Sequence, residues 1–155
     1  MNRRVGIAFA GLLAAGALTV TSLSSHPNPQ ETRKAINLPG KTIQAPFSDA
    51  ILAGNTLYLA GRIGLDPKTG KAPDKIEDEI KLLLDGEKDV LAASGMTMDD
   101  LVYVQIFCTD LSLFDKFNPI YRSYFTKDMP ARAFVGAGSL LRGGHFELQA
   151  IAVKR

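Results

Sequence analysis

Residues 74–109 change period midway, and few chain architectures accommodate that change. From Asp74 to Ser94 the apolar positions Ile76, Ile80, Leu83, Leu84, Val90 and Leu91 recur at helical spacing, with acids early and Gly95 just past the end. From Leu101 to Thr109, "LVYVQIFCT", the pattern alternates instead: Val102, Val104, Ile106 and Cys108 fall on one face, and Tyr103, Gln105, Phe107 and Thr109 on the other. A helix over 74–94 followed by a central strand over 101–109 commits the chain to helices packed on a sheet. Gly86 weakens that helix by about 1 kcal/mol relative to alanine, which points to a close packing partner beside it. Cys108, in the aliphatic row, is expected as a small core residue, because apolar burial raises a thiol pKa and keeps it unreactive.

The flanking segments extend the same plan. Ala50–Ala53 and Thr56–Ala60 are short apolar runs separated by Gly54-Asn55, which predicts a β-hairpin. Asp66 to Gly70, "DPKTG", is turn chemistry. Leu113, Phe114, Phe117, Tyr121, Tyr124 and Phe125 mark a second helix with an aromatic core stripe. Pro119 has no N–H and fits best in a first turn, so this helix is expected to start near Asn118. Two final strands follow, Arg132–Ala137 and His145–Val153, joined by a glycine-rich stretch read as a hairpin loop, which would make the two strands neighbours. The expected class is α+β: a mixed sheet with two helices on one face.

Composition sets further limits. At 155 residues, with 46% hydrophobic and 22% charged, the chain suits one domain burying roughly two thirds of its unfolded surface. Asn2-Arg3-Arg4 followed by an uncharged run from Val5 to Val20 reads as a secretory signal over 1–25, with cleavage expected near Ser24 or Ser25. The run is shorter than the ~20 residues that comfortably span a bilayer, and an uncleaved anchor is the alternative and the one membrane contact foreseen. His26 to Glu31 is Pro-rich and polar, giving a linker over 26–34 and a domain over 35–155. With Cys108 alone, no intramolecular disulfide exists, so an exported fold must rest on its core or on subunit association. Removing 1–25 takes Arg3 and Arg4 and no acid, leaving 16 basic residues against 16 acidic ones. A neutral domain lacks the basic footprint of a nucleic-acid binder.

Chemistry-bearing groups are few. His26 and His145 are too few and too separated for a zinc cluster, and no metal is assigned. "GAGSLLRGG" fits neither a Walker loop nor a dinucleotide fingerprint. Arg132, in "MPARAFVG", and Glu147, in "HFELQAIAV", remain. They form either an ordinary pair of surface charges or a carboxylate clamp and a proton-handling carboxylate.

The runs "APFSDAILAGNTLYLAGRIGLDPKTG", "DLSLFDKFNPIYRSYF", "MPARAFVGAG" and "HFELQAIAVKR" resemble, in order and spacing, the RidA (YjgF) family of reactive-intermediate deaminases over about Ala35 to Arg155. The resemblance implies a chorismate-mutase-like fold assembled as a homotrimer, with a site in each cleft between subunits. It implies hydrolysis of 2-imino and enamino acids to 2-oxo acids and ammonia, without cofactor. Arg132 would hold the substrate carboxylate and Glu147 would activate water, while Asn118, Phe47, Ala60, Gly61 and Phe134 would line the cleft.

Several positions depart from the family pattern: Phe47 stands for tyrosine, Ala60 for serine, Arg62 and Gly64 for glutamine and proline, and Phe134 for cysteine or a small residue. Phe134 is expected to reshape the pocket, and Arg62 is expected in solvent, the alternative being an added positive charge that favours a dianionic or different ligand. The alternative function is a non-catalytic trimer of the cell envelope that binds small carboxylates. A ribonuclease reading, from an activity attributed to some relatives, conflicts with the neutral charge of the domain.

Overall fold

The computed structural model describes residues 33–40 and 45–154. The expected signal and most of the expected linker lie outside the described residues. Eight main elements follow in chain order: β1 (Arg33–Ile36), β2 (Ala50–Ala53), β3 (Thr56–Ile63), α1 (Ile76–Ala93), β4 (Leu101–Cys108), α2 (Phe114–Arg122), β5 (Ala131–Gly136) and β6 (Phe146–Val153).

Gly54, at φ 62°, supplies the left-handed residue of the turn that folds β2 back on β3, with Ala53 opposite Thr56. The six strands form one mixed sheet in the order β1-β2-β3-β6-β4-β5, in which β4 and β5 alone run parallel. The first strand escaped the sequence reading. Its RKAI run has one buried residue, Ile36, and it occupies the sheet edge, where alternation is weak and cations are common.

Helix α1 begins with Glu77, Asp78 and Glu79, which complement its positive N-terminal end. It stops where Gly95 adopts φ 70° and Met96 N–H reaches back to the Leu91 carbonyl, a glycine C-cap. Its buried stripe of Ile80, Leu83, Leu84, Val90 and Leu91 meets Leu57, Leu59, Val104, Ile106, Leu148 and Ala150 from the sheet. Cys108 is buried in this layer; its Sγ donates to the Asp110 carbonyl at 3.0 Å and burial pushes its pKa up.

Three expectations need correction. Val102 is exposed because a register shift between Leu101 and Tyr103 turns it out of the aliphatic row, and Leu101 is buried instead. Helix α2 starts at Phe114, before Asn118: the Asp110 side chain accepts from Ser112 N–H at 2.9 Å and starts a 3-10 turn over Leu111–Leu113 that runs into the helix. Pro119 then sits inside α2, where its missing N–H deletes one bond of a helix that ends three residues later.

The third correction concerns β5 and β6, which are not neighbours. The β4-α2-β5 unit returns the chain to run parallel with β4, as a helical crossover does, and β6 pairs with the other side of β4. The glycine-rich stretch after Gly136 therefore crosses the end of β4 and is not a hairpin loop.

Candidate active site: two halves on opposite faces

The register decides where the two candidate residues point. Arg132 lies in parallel register with Val104, which is fully buried on the helix side. Glu147 alternates with Phe146 and Leu148, both buried on that side, and so belongs to the other face. One strand separates them laterally, and Arg132 and Glu147 pair with β4 at Val104 and Phe107 respectively. Within a single chain they do not converge.

Arg132 is held from one side by α2. Its Nη2 donates to Asn118 Oδ1 at 2.8 Å, and its guanidinium carbon stands 4.9 Å from the Tyr121 ring centre, 5.5 Å from Phe114 and 5.7 Å from Phe134. Three rings and one amide fix a delocalised cation in place, and no carboxylate pairs with it among the described residues. Burial pushes the Tyr121 hydroxyl up to about 12, against the lowering influence of Arg132. Arg132 and Asn118 line a cavity of about 350 Å³ together with Pro130 and Met129.

Phe134 lines neither this cavity nor the one around Glu147. Its ring packs edge-on against Phe114 at 5.1 Å and Phe117 at 5.5 Å. The expected pocket residue thus acts as a support beneath the arginine, because position 134 shares the helix side with Arg132 two residues earlier.

Glu147 faces a second cavity, of about 580 Å³, shared with Phe47, Ala60, Gly61 and Gln149. The register of β3 on β6 slips between Leu59 and Arg62, a bulge that sets Ala60-Gly61 beside the carboxylate. A Cβ built on Gly61 would overlap Glu147 Oε1, so the bare backbone at this position is what lets the carboxylate lie there. Just upstream, the buried carboxylate of Glu79 accepts from His145 N–H at 2.6 Å and Phe146 N–H at 3.0 Å and faces His145 Nδ1 at 2.7 Å. These bonds pin the start of β6 one residue before Glu147.

Arg62, expected in solvent, has a side chain only 23% exposed. Its Nη2 lies 3.2 Å from Asp49 Oδ1 and its Nε 3.7 Å from Glu87 Oε1. Gly86 makes this possible: a Cβ there would come within 2.7 Å of Arg62 Cδ, which identifies the close partner foreseen for that glycine. Glu87 is pushed up to about 8, by burial first, with Arg62 lowering and Asp49 raising it. Asp49 also accepts from Leu38 N–H at 2.8 Å, tying the loop that carries Phe47 to β1.

Asp49, Glu79, Glu87 and Arg142 were missed from sequence. A signal existed for two of them: Glu79 and Glu87 stand on the apolar stripe of α1, where a carboxylate is costly unless it is satisfied or neutral.

Comparison with known proteins identifies the family. The family described as Endoribonuclease L-PSP matches residues 40–154. A RutC family protein of Pyrococcus horikoshii is 38% identical over 110 residues, covering 70% of this chain and 87% of that protein. The 2-iminobutanoate/2-iminopropanoate deaminase of Bos taurus is 34% identical over 110 residues, covering 70% and 80%. Among solved structures, RidA from an Antarctic Psychrobacter superposes with a TM-score of 0.72 at 28% identity, covering 78% of this chain and 99% of that one.

Proposed function

The chain belongs to the Endoribonuclease L-PSP family of YjgF/RidA proteins, and on that premise we propose that it hydrolyses reactive 2-imino and enamino acids to 2-oxo acids and ammonia. The observation that carries the reading is Arg132: a guanidinium fixed by rings and an amide, with no carboxylate partner among the described residues, is prepared to receive an anion.

The site is completed between copies. Arg132 and Asn118 of one copy face Glu147, Gly61 and Phe47 of the next, and a homotrimer provides three such clefts. The opposite-face placement of Arg132 and Glu147 supports this, since one chain cannot bring them to one substrate. The face opposite the helices also leaves Tyr58, Tyr103 and Val135 exposed, an apolar surface suited to a partner copy.

The chemistry asks little beyond orientation. Arg132 grips the carboxylate of a protonated imine, whose carbon is already electrophilic. Glu147 accepts a proton from water as the oxygen bonds to that carbon, giving a carbinolamine. The proton passes to nitrogen, the C–N bond breaks as Glu147 takes the hydroxyl proton, and the 2-oxo acid and ammonia leave, the ammonia carrying that proton away as ammonium. No atom is transferred to the protein. The basic start and the uncharged run through Val20 support placing this activity outside the cytoplasmic membrane.

Ammonia release from 2-iminobutanoate, generated in situ by an amino-acid oxidase, tests the reading. Acceleration is expected, with a loss on the order of a hundredfold or more in Arg132→Ala, which leaves the substrate without its clamp. No acceleration by the parent protein would favour the carboxylate-binding alternative, in which Phe47 and its missing hydroxyl line a cavity that binds without turning over.

A further inference from the structure

The Glu147 cavity, about 580 Å³ in the single chain, extends beyond the carboxylate to residues the proposed reaction does not use. Its lining includes Arg142, in the 3-10 turn Leu141–Gly143. Two observations single out this residue. Arg142 is the one non-glycine residue with positive φ among the described residues, at 58°, although Gly143 and Gly144 follow immediately. An arginine held where glycine or asparagine sits more easily is a strained position, and such positions gather at binding sites.

The second observation is charge. Arg62 is matched by Asp49, while the exposed Arg142 donates from its guanidinium to the Gly70 carbonyl at 3.5 Å and has no carboxylate partner among the described residues. The cavity wall thus holds Asp49 and Glu147 against Arg62 and Arg142, and burial pushes the pKa of Glu87, which sits against Arg62, up to about 8. Arg132 from a neighbouring copy adds a second carboxylate-free cation to the completed site. A protonated imine with one carboxylate engages Arg132 and leaves Arg142 without an anion. A second carboxylate on the substrate supplies one.

We infer that Arg142 is a specificity-determining residue and that the preferred substrates are 2-imino acids carrying a second, distal carboxylate, the imines of acidic amino acids. This rests on the deaminase reading for the position of the reacting carbon, and adds the recognition of the side chain. In the bound state the first carboxylate meets Arg132, the imine carbon faces Glu147, and the side chain runs along the Ala60-Gly61 wall towards Arg142.

Calorimetric titration with two product-like probes, 2-oxoglutarate and 2-oxobutanoate, tests it in the full mature chain. The parent is expected to bind 2-oxoglutarate about tenfold more tightly than 2-oxobutanoate, the scale of one added charge-assisted contact. In Arg142→Asn that ratio falls to about two, and asparagine accepts the left-handed backbone, so thermal stability is retained. Arg142→Lys keeps the charge and most of the ratio. Equal affinities in the parent, or a ratio unmoved by Arg142→Asn, would overturn the inference, as would failure of both probes to bind. Ammonia release from 2-iminobutanoate, measured on the same preparation, separately decides whether the deaminase reading stands.

Discussion

The Arg132 half and the Glu147 half of the site are made in different ways. Around Arg132 the contacts come from α2 and β5, within a span of 21 residues from Phe114 to Phe134, and they are rings and one amide. Around Glu147 the cavity is lined by Phe47, Gly61, Arg62 and Arg142, scattered over most of the domain, with Gly61 backbone against the carboxylate and Glu87 paired with Arg62. A clamp for an anion needs a cation that stays put, and aromatic packing supplies that with little sensitivity to pH. The Glu147 half is instead assembled from segments distant in sequence, so its geometry depends on the whole fold.

Substitutions can test each half without disturbing the other. The largest effect is expected from Gly61→Ala, which thrusts a methyl group against Glu147 Oε1. Deamination should fall on the order of a hundredfold, since small displacements of a reacting group carry such losses. The Arg132 cradle is untouched. Calorimetry with 2-oxobutanoate and the rate of ammonia release together separate a displaced base from a lost fold.

The next effect concerns stability and pH. Glu87 titrates near 8 in the folded chain, against an ordinary value of 4.5. Between those values the folded protein keeps a proton that the unfolded chain has released, so this group lowers stability as pH rises through the window. Glu87→Gln is neutral throughout. Its stability advantage over the parent should be least near pH 4.5 and grow to a plateau above pH 8, reaching on the order of a few kcal/mol in urea unfolding. A constant difference across that range would mean that Glu87 is ionised in the fold. The aromatic half should show no comparable pH dependence.

The smallest effect is on the Arg132 side. Tyr121 buries its hydroxyl without a hydrogen-bond partner among the described residues, so Tyr121→Phe keeps the ring under the guanidinium and removes an unsatisfied group. A gain of about 1 kcal/mol is expected, read as a rise of a few degrees in Tm.

The contrast between the halves also explains what the sequence made legible. Period alone identified α1, β4 and β6 and the β2–β3 hairpin, because each is long or closely bounded by turn residues. Residues Arg132, Glu147, Asn118, Phe47, Ala60 and Gly61 came from motif and family resemblance. The structure sorts them into two cavities, a division that the linear order hides. Strand order stayed hidden too: β5 and β6 are consecutive, yet β4 lies between them, and only long-range pairing decides that. Asp49, Arg62, Gly86 and Glu87 form a cluster whose logic is reciprocal, since a glycine in α1 makes room for an arginine from β3. No local pattern reports such a relation. The resemblance suggested Phe134 as a cleft residue; in the single chain alternation puts it on the side of Arg132, its ring against Phe117 and near the guanidinium.

Mixing two inactive variants tests the central claim, that each site joins Arg132 of one copy to Glu147 of another. Arg132→Ala and Glu147→Ala are prepared separately, then co-refolded in equal amounts, and ammonia release from 2-iminobutanoate is measured. In a randomly mixed cyclic trimer, about a quarter of the clefts pair an intact Arg132 with an intact Glu147 from its neighbour, so about a quarter of the parental activity should return. Activity no greater than the sum of the two variants alone, with mixed trimers demonstrated by native mass spectrometry, would contradict the composite site.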